Sequence, residues 1–399
     1  MTDATQISHT TAMGAPGLER CPLMPTYNPP RVQFVRGEGS WLWDRDDNRY
    51  LDFLSGLAVT SLGHAHPEVA EAIATQAGRL LHVSNLFGTE HNWVVAAHLD
   101  RLIGGGGQVF FCNSGAEANE AAFKLARKFG GHGRHKVISA FASFHGRTMA
   151  ALAATGQPSK HEPFEPLPEG FVHAAWADID ELDRMVDATV AAVHLEPIQG
   201  EGGVNVPPPG YLAEVQHLCR ERGALLMLDE VQTGLGRTGR WFAHHHDEIQ
   251  PDVVCMAKAL GNGMPIGACW AREEVAAAFS PGDHATTYGG QPLATAAARR
   301  VLEVMEREDV CGRATRAGAR LTDGLNGLAA VESVRGRGLL LAAELGEGAD
   351  AKAVVATALA EGLVANAVTP TAVRFAPSLL VTDEEIDRGL ELFAKAVGS

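Results

Sequence analysis

Cysteine is scarce in this chain, and its spacing carries little chemistry. The 399 residues include six cysteines, Cys21, Cys112, Cys219, Cys255, Cys269 and Cys311. No two of them have CxxC spacing, and scattered cysteines of this kind favour a reducing compartment, so we expect a cytoplasmic protein. Cys112 and Cys255 lie inside apolar runs, where a cysteine usually serves as a small buried hydrophobic residue.

Long hydrophobic runs are missing as well, and the 33 basic residues are outnumbered by 48 acidic ones. No stretch of roughly 18 apolar residues is present, so the sequence predicts no membrane-spanning helix. Residues 1–18 lack a basic segment followed by an apolar run, which argues against a secretory signal and favours a loose lead-in. The formal net charge is −15 and the sequence pI is about 5.6. Because nucleic acids and anionic membranes repel such a chain on average, we expect neither as a partner.

What the chain does have is a hydrophobic content of 46% and a regular alternation of strand and helix patterns. The predicted elements are a β-meander over 32–53, helices at 67–81, 117–128, 209–222 and 291–307, and strands at 108–112, 136–140, 190–195, 224–228, 252–256, 331–344 and 374–381. This alternation predicts an α/β protein with a mostly parallel sheet that is covered on both faces. We expect a large domain over 66–307 and a smaller α/β domain formed by 1–65 and 308–399.

The segment CNSGAEANE, which begins at Cys112, follows a predicted strand and opens a predicted helix. Ser114 and Glu117 have the S-x-x-E spacing of a capping box, and Gly115 permits a tight turn. The first amides of such a helix have no partner within the helix and suit a phosphate group. Taken alone, the segment is more typical of an ordinary helix cap that binds nothing.

Two acids, Asp229 and Glu230, end the apolar run LLML. In open α/β sheets, ligands gather beyond the carboxyl ends of the strands. An acid at that place can hold a heterocyclic nitrogen in its protonated form by charge and by a hydrogen bond. The alternative interpretation is that these acids cap a loop or a helix.

Lys258 ends the apolar run VVCMA and precedes the glycine-rich turn ALGNGMP. An ammonium group at an apolar wall loses hydration, so its pKa falls and the amine becomes nucleophilic. That is the state a lysine needs to form a Schiff base with an aldehyde. A lysine that merely extends its ammonium group to solvent is the alternative.

Taken together, these three segments predict a pyridoxal 5′-phosphate site. They offer a phosphate cradle, an acid for a ring nitrogen and a lysine for an aldehyde, which are the three handles of that cofactor. Phe144, in the segment SFHGR, offers an aromatic face for the ring. The stretch between Asp229 and Lys258 is long enough for one crossover between neighbouring strands.

The chain resembles the class III (ornithine-type) aminotransferases of pyridoxal-phosphate fold type I. The segment LLMLDEVQTGLGRTGRWFAHHHDEIQPDVVCMAKALGNGMPIGA looks like that family's signature around the cofactor-binding lysine. Further similar stretches are YLDFLSGLAVTSLGHAHP, FCNSGAEANEAAFKLAR, FHGRTMAALAATGQ, LEPIQGEGGV and TTYGGQPLA. The resemblance extends from about Tyr27 to the C-terminus and therefore covers nearly the whole chain.

The resemblance implies roles for residues around the cofactor. Lys258 is expected to hold the aldehyde and Asp229 to pair with the pyridine nitrogen, so these two are the expected catalytic residues. The remaining expected cofactor contacts are Ser114, Gly115 and Ala116 at the phosphate, Phe144 stacked on the ring, Gln232 near the ring oxygen, and Glu230 and Val231 beside Asp229. Thr287 is expected to reach the phosphate of a neighbouring subunit, which implies a homodimer with shared active sites.

For the substrate, the resemblance implies that Arg374 binds an α-carboxylate and that Arg147 and Thr286 make further contacts. Arginine suits this role because its planar fork can grip a carboxylate at two points. Glu201 resembles a glutamate side chain that pairs with the carboxylate-binding arginine. The resemblance implies that this pair separates when the substrate L-glutamate, with its second carboxylate, enters the site. A static salt bridge is the alternative.

The implied reaction is transamination of N-acetylornithine with 2-oxoglutarate, by ping-pong kinetics, in arginine biosynthesis. Ornithine-specific members carry a tyrosine where this chain has Leu57, and an apolar residue suits an acylated amine better than a free cation. Asp283 and Ala285 depart from the family pattern near the substrate mouth. We expect no metal, because the consecutive histidines His244, His245 and His246 cannot all face one ion on regular structure.

Three alternatives remain open from the sequence. In the first alternative, the amino donor is another amine of this family's range, namely succinyl-diaminopimelate, succinylornithine, ornithine or 4-aminobutyrate. In the second alternative, the same fold carries out a different pyridoxal-phosphate reaction, such as that of an aminomutase or a decarboxylase. Finally, the chain is a binding or regulatory module that has kept the fold without the activity.

Overall fold

The computed structural model describes residues 23–28 and 30–398 of the chain. The predicted lead-in at residues 1–18 and Cys21 lie outside the described residues. Among the described residues, no helix combines the length and the apolar character needed to cross a membrane.

The strands fall into three sheets. In chain order they are β1 (Phe34–Glu38), β2 (Trp41–Asp44), β3 (Arg49–Asp52), β4 (Gly107–Cys112), β5 (Lys136–Ala140), β6 (Phe171–Ala174), β7 (Val190–Leu195), β8 (Leu225–Asp229), β9 (Val253–Met256), β10 (Gly267–Arg272), β11 (Val331–Arg337), β12 (Leu340–Leu345), β13 (Leu363–Val364), β14 (Asn366–Ala367) and β15 (Ala372–Phe375).

The helices connect and cover these strands. In chain order they are α1 (Ser55–Ala58), α2 (Pro67–Ala77), α3 (Glu90–Ile103), α4 (Gly115–Gly130), α5 (Met149–Ala154), α6 (Pro158–His161), α7 (Ile179–Met185), α8 (Tyr211–Arg222), α9 (Glu273–Ala276), α10 (Pro292–Arg307), α11 (Val310–Asn326), α12 (Ala351–Ala360) and α13 (Asp383–Val397).

The central sheet has seven strands in the order β4-β10-β9-β8-β7-β5-β6. The five strands from β9 to β6 are parallel to their neighbours, so the predicted mostly parallel sheet is confirmed. β10 was not predicted, and it runs antiparallel to both β4 and β9. The chain between β9 and β10 is a short loop rather than a helical crossover, and a parallel pairing needs such a crossover.

The N-terminal meander is confirmed, because β2 pairs antiparallel with both β1 and β3. Its fourth strand comes from the other end of the chain, because β13 pairs in parallel with β3. The third sheet has the order β11-β12-β15-β14. These small sheets share one hydrophobic cluster with the helices that cover one face of the central sheet, including Leu51, Phe53, Phe375 and Phe393.

Two predicted strands near the C-terminus were wrong in extent. The segment 331–344 is a hairpin, because the chain reverses at Gly338, whose φ is 56°. The strand predicted over 374–381 ends at Phe375. Pro377 has no N–H to donate to a ladder, and the Leu379 amide instead donates to the Ser61 carbonyl at 2.7 Å.

The carboxyl ends of the central strands determine where the chemistry lies. Cys112, Ala140, Leu195, Asp229 and Met256 are the last residues of β4, β5, β7, β8 and β9. Every predicted motif of the large sheet follows one of these ends within a few residues. The sheet therefore delivers loops from five separate parts of the chain to a single edge, as expected for ligand sites of this architecture.

Candidate active site

The phosphate cradle predicted at the start of α4 has the expected local geometry. The Ser114 hydroxyl accepts from the Glu117 amide at 3.2 Å, as a helix cap does. The Glu117 carboxylate accepts from the Asn113 amide at 2.8 Å, one residue before the position that a capping box uses. A Cβ at Gly115 would lie 2.9 Å from the Val231 side chain, so only glycine allows this approach. The helix N-terminus thus lies against the loop that follows β8.

Asp229 is buried at the end of β8, and its two oxygens have different surroundings. Oδ2 accepts from Asn119 Nδ2 and from His145 Nδ1, each at 2.8 Å. Oδ1 accepts from the Val231 amide at 3.1 Å, which leaves it capacity for a second donor. Burial raises the pKa of Asp229, but these hydrogen bonds and the nearby histidines outweigh it, so the pKa lies below the usual value. The carboxylate is therefore held in its charged form.

Lys258 follows β9 with a backbone φ of 41°, a left-handed conformation that is uncommon for a lysine. Among the described residues, its Nζ has no hydrogen-bond or ion-pair partner. Burial is the largest cause that lowers the pKa of Lys258, and the charge of Arg374 lowers it as well. The charges of Glu201, Asp229 and Glu196 oppose the shift, and the net pKa is about 8. A larger fraction of this amine is neutral near pH 7 than in an ordinary lysine, which favours attack on an aldehyde.

Phe144 lies in the loop after β5, and this loop packs directly on the phosphate cradle. A Cβ at Gly146 would lie 2.7 Å from the Cβ of Ala116, and the φ of Gly146 is 143°. The Phe144 amide donates to Glu196 at 3.0 Å. The predicted aromatic face is therefore held beside both the start of α4 and the loop that follows β7.

Three predicted residues, Arg374, Glu201 and Gln232, form one polar cluster. Arg374 is fully buried, and its Nη1 donates to Glu201 at 2.5 Å and to Gln232 at 3.0 Å. Its Nε donates to the Asn366 side chain at 3.1 Å, whereas its buried Nη2 has no partner. Burial alone raises the pKa of Glu201, but the charges of Arg374 and Lys258 outweigh it and the pKa is lowered. The unpartnered Nη2 is a donor that a carboxylate would satisfy.

The remaining predicted residues lie around this cluster rather than within it. Arg147 is exposed, with its guanidinium 5.6 Å from the centre of the Phe144 ring. The Thr286 hydroxyl accepts from Asn113 Nδ2 at 3.2 Å, next to the phosphate cradle. Thr287 is exposed and lines a small surface pocket with residues that include His82 and Asn85.

Glu230 turns away from Asp229 and into the protein. Its carboxylate accepts from His244 Nδ1 at 2.9 Å and from the Thr233 hydroxyl. The next two histidines face different partners, since His245 contacts the Ile103 carbonyl at 3.2 Å and His246 contacts the Thr238 carbonyl at 3.0 Å. The three consecutive rings therefore do not converge on one point.

Sequence reasoning missed three buried residues that shape the site. Asn119 and His145 hold Asp229, and both stand inside motifs in which attention fell on their neighbours. Glu196 accepts from the Phe144 and Gly200 amides at 3.0 Å each, and burial raises its pKa to about 7. Asn119 lies three and four residues before Ala122 and Phe123, on the face that α4 buries, and a polar residue at such a position was the available signal.

The donor set fits pyridoxal 5′-phosphate in each part. The cradle at Ser114, Gly115 and Ala116 offers helix amides to a phosphate. The free lone pair of Asp229 Oδ1 suits a protonated ring nitrogen, and the unpartnered Nζ of Lys258 suits an aldehyde. No residue in this set is of the wrong charge for the group it would meet.

Comparison with known proteins gives the class. The family model for aminotransferase class III matches residues 24–397, so the chain belongs to the class III aminotransferases. It is similar to the acetylornithine aminotransferase of Corynebacterium efficiens, with 50% identity over 374 residues that cover 91% of this chain and 92% of that protein. The acetylornithine aminotransferase of Mycolicibacterium smegmatis is 48% identical over 367 residues, covering 92% and 93%. Dependence on pyridoxal 5′-phosphate follows from this membership.

Solved structures give the same fold. The ornithine aminotransferase of Toxoplasma gondii superposes with a TM-score of 0.89 at 37% identity, covering 94% of this chain and 92% of that one. The N-acetylornithine aminotransferase of Stenotrophomonas maltophilia has a TM-score of 0.81 at 37% identity, covering 93% and 96%. The expected fold type I architecture is therefore confirmed.

The pKa of Lys258 predicts how the cofactor-free protein captures pyridoxal 5′-phosphate. Because the amine reacts only when neutral, the capture rate should rise with pH and level off above about pH 8. The measurement is the growth of visible absorbance after mixing, across neutral to alkaline pH, with Lys258→Ala as the unreactive control. A rate that keeps rising to about pH 10, as for an ordinary lysine, would contradict this assignment.

Proposed function

We propose that the protein transfers the terminal amino group of N2-acetyl-L-ornithine to 2-oxoglutarate. The products are N-acetyl-L-glutamate 5-semialdehyde and L-glutamate, and the reaction belongs to arginine biosynthesis. The observation that carries the proposal is the buried Arg374, paired with Glu201 yet keeping one unpartnered nitrogen, beside the free amine of Lys258. The names of the relatives, which are 46–50% identical over most of the chain, support the same choice.

Each residue of the site has a role in this reaction. Pyridoxal 5′-phosphate supplies an electron sink that makes the carbon bearing the amino group acidic. Asp229, charged and buried, would keep the ring nitrogen protonated, and Phe144 would stack on the ring. Lys258 would hold the aldehyde. After a donor amine displaces Lys258, the Nζ of Lys258 would accept the proton from the donor's amine-bearing carbon. The same Nζ would then deliver that proton to a carbon of the cofactor.

The Glu201–Arg374 pair accounts for two substrates of different charge. Acetylornithine presents one carboxylate far from its terminal amine, so it can bind while Glu201 neutralises Arg374. Glutamate presents a second carboxylate close to its amino group, and that carboxylate needs an arginine. Glu201 is 29% exposed and held chiefly by Arg374 and Gln232, so it can move aside, whereas Arg374 is anchored by Asn366.

Leu57 supports an acylated donor. It lies on α1, whose four residues wind in the left-handed sense, and its side chain is 41% exposed. The turn is anchored on one side, where Asp52 accepts from the Ser55 amide at 2.8 Å. On the other side the Leu62 amide donates to Asn262, in the loop after Lys258, at 2.7 Å. An apolar residue on a rigid turn next to the lysine loop disfavours a free cationic amine.

The test of the proposed donor is a half-reaction without any keto acid. The cofactor-loaded protein is mixed with N-acetylornithine while its visible absorbance band is followed, with ornithine, 4-aminobutyrate, succinylornithine and succinyl-diaminopimelate in parallel. We expect N-acetylornithine to bleach the band fastest and 2-oxoglutarate to restore it. Faster bleaching by another amine would replace the donor and keep the class, whereas no bleaching by any amine would favour a mutase or a decarboxylase.

A homodimer with shared sites completes the proposal. The segment before and along α3 carries exposed apolar side chains, namely Leu81, Leu86, Phe87 and Trp93. Next to Leu81, the ring centres of His82 and Tyr288 are 5.2 Å apart. An exposed apolar patch of this kind is typical of an interface between subunits. Thr287 lies at its edge, where it lines a small pocket with His82 and Asn85. We also infer a cytoplasmic location, which the free cysteines of the described residues support.

Subunit mixing tests whether Thr287 acts across that interface. Thr287→Val should weaken retention of the cofactor, because one phosphate hydrogen bond is lost. In a heterodimer of Thr287→Val with Lys258→Ala, the site that keeps Lys258 would receive the unaltered Thr287 of the partner. We therefore expect wild-type cofactor affinity at one site per heterodimer, measured with differently tagged subunits. If that site keeps the weakened affinity of Thr287→Val, the threonine acts within its own chain.

A further inference from the structure

One basic residue beside the site, Lys160, has no role in the proposed reaction so far. It lies on α6, the short helix Pro158–His161, and is half-buried. Its ammonium group donates to the neutral amide oxygen of Gln157. In the part of the chain that the structure describes, Lys160 forms no ion pair. A half-buried lysine with only a neutral partner retains an uncompensated charge.

The loop that carries Lys160 is joined to the loop that carries Phe144 and Arg147. Gln157 Nε2 donates to the Ser143 carbonyl at 3.0 Å, and the Gly156 amide donates to the Ser143 hydroxyl at 3.0 Å. The His145 amide donates to the Thr155 hydroxyl at 2.9 Å. These hydrogen bonds hold Lys160 on the same side of the site as Arg147.

The charges at this side of the site do not balance. Burial is the largest cause that lowers the pKa of Lys160, the charge of Arg147 lowers it further, and the charge of Glu201 opposes the shift. Arg374 is neutralised by Glu201 at 2.5 Å. Arg147, like Lys160, has no carboxylate partner among the described residues. Two cations on joined loops beside Phe144 thus lack a counter-ion among the described residues, while the Glu201–Arg374 pair is closed.

We propose that Lys160 joins Arg147, the substrate contact that the resemblance already implies, in binding the substrate carboxylate that lies far from the reacting carbon. This inference rests on the proposed function and extends it, since both acetylornithine and 2-oxoglutarate carry such a carboxylate. Lysine contributes a compact charge on a flexible stem, and arginine contributes a planar fork. Lys160 is thus a substrate-binding residue that favours carboxylated donors over plain amines.

The test compares two donors that differ by one group. N-acetylputrescine is N-acetylornithine without its carboxylate, and both are used in the half-reaction with wild type and Lys160→Gln. We expect Lys160→Gln to raise the donor concentration for half-maximal bleaching by about tenfold for N-acetylornithine, the size of one charge-assisted hydrogen bond. For N-acetylputrescine that concentration should change less than about twofold, with the limiting rates similar for both.

Binding of glutarate gives a second measurement that needs no turnover. Glutarate has two carboxylates and no amine, and its dissociation constant is read from the shift of the cofactor absorbance. Lys160→Gln should weaken glutarate binding about fivefold, and Lys160→Arg should restore most of it. The matched control is Lys136→Gln. Lys136 is the first residue of β5, lies outside the site and pairs with Asp187 at 3.4 Å. It should leave both measurements unchanged.

Two outcomes would overturn the role of Lys160. An equal loss with both donors would show that Lys160 does not recognise the carboxylate. A lower limiting rate with unchanged glutarate binding would show that it only braces the Phe144 loop. If wild type fails to react with N-acetylornithine, the proposed donor is wrong, and the glutarate titration still decides whether Lys160 binds carboxylates.

Discussion

The site depends on one buried carboxylate, that of Asp229. A charge at the end of an apolar strand is costly unless several donors hold it. Asn119 reaches Oδ2 from α4, and His145 reaches the same atom from the loop after β5. Because one oxygen joins the helix that forms the phosphate cradle and the loop that carries Phe144, it fixes the distance between these two parts. The residues that would meet the cofactor's phosphate, ring face and ring nitrogen are thereby held in fixed positions relative to one another.

The chain is acidic overall, yet the proposed carboxylate-binding part of the site is built from basic side chains. The chain carries a net charge of −15, yet Arg374, Arg147 and Lys160 surround the place where carboxylates would bind. In the proposed function, a small anion would meet these three basic side chains in a molecule of net negative charge. Glu201 sets the net charge at Arg374, because it neutralises Arg374 at 2.5 Å. Glu201 is also the more exposed member of that pair. In the proposed function, selectivity between substrates with one and two carboxylates would follow from whether this pair is closed.

Local sequence patterns predicted the parts of the fold that depend on neighbouring residues. The strands β5 and β7 begin and end at the predicted residues, and Ser114 caps α4 as its spacing indicated. The contacts that depend on distant residues were not predictable from one sequence. β10 escaped notice because it follows the Lys258 loop directly, and its antiparallel pairing is settled by tertiary packing rather than by composition. The resemblance placed Arg374 near Glu201, but no local pattern shows that its Nη2 is left without a partner.

The protonation of the ring nitrogen tests the central role of Asp229 most directly. The measurement is the ¹⁵N NMR shift of ring-labelled pyridoxal 5′-phosphate bound to wild type and to Asp229→Asn. A charged Asp229 predicts a protonated nitrogen in the wild type near neutral pH, and loss of that proton in the variant, because the amide carries no charge to stabilise it. An unprotonated nitrogen in the wild type, or the same protonated shift in both proteins, would contradict the account.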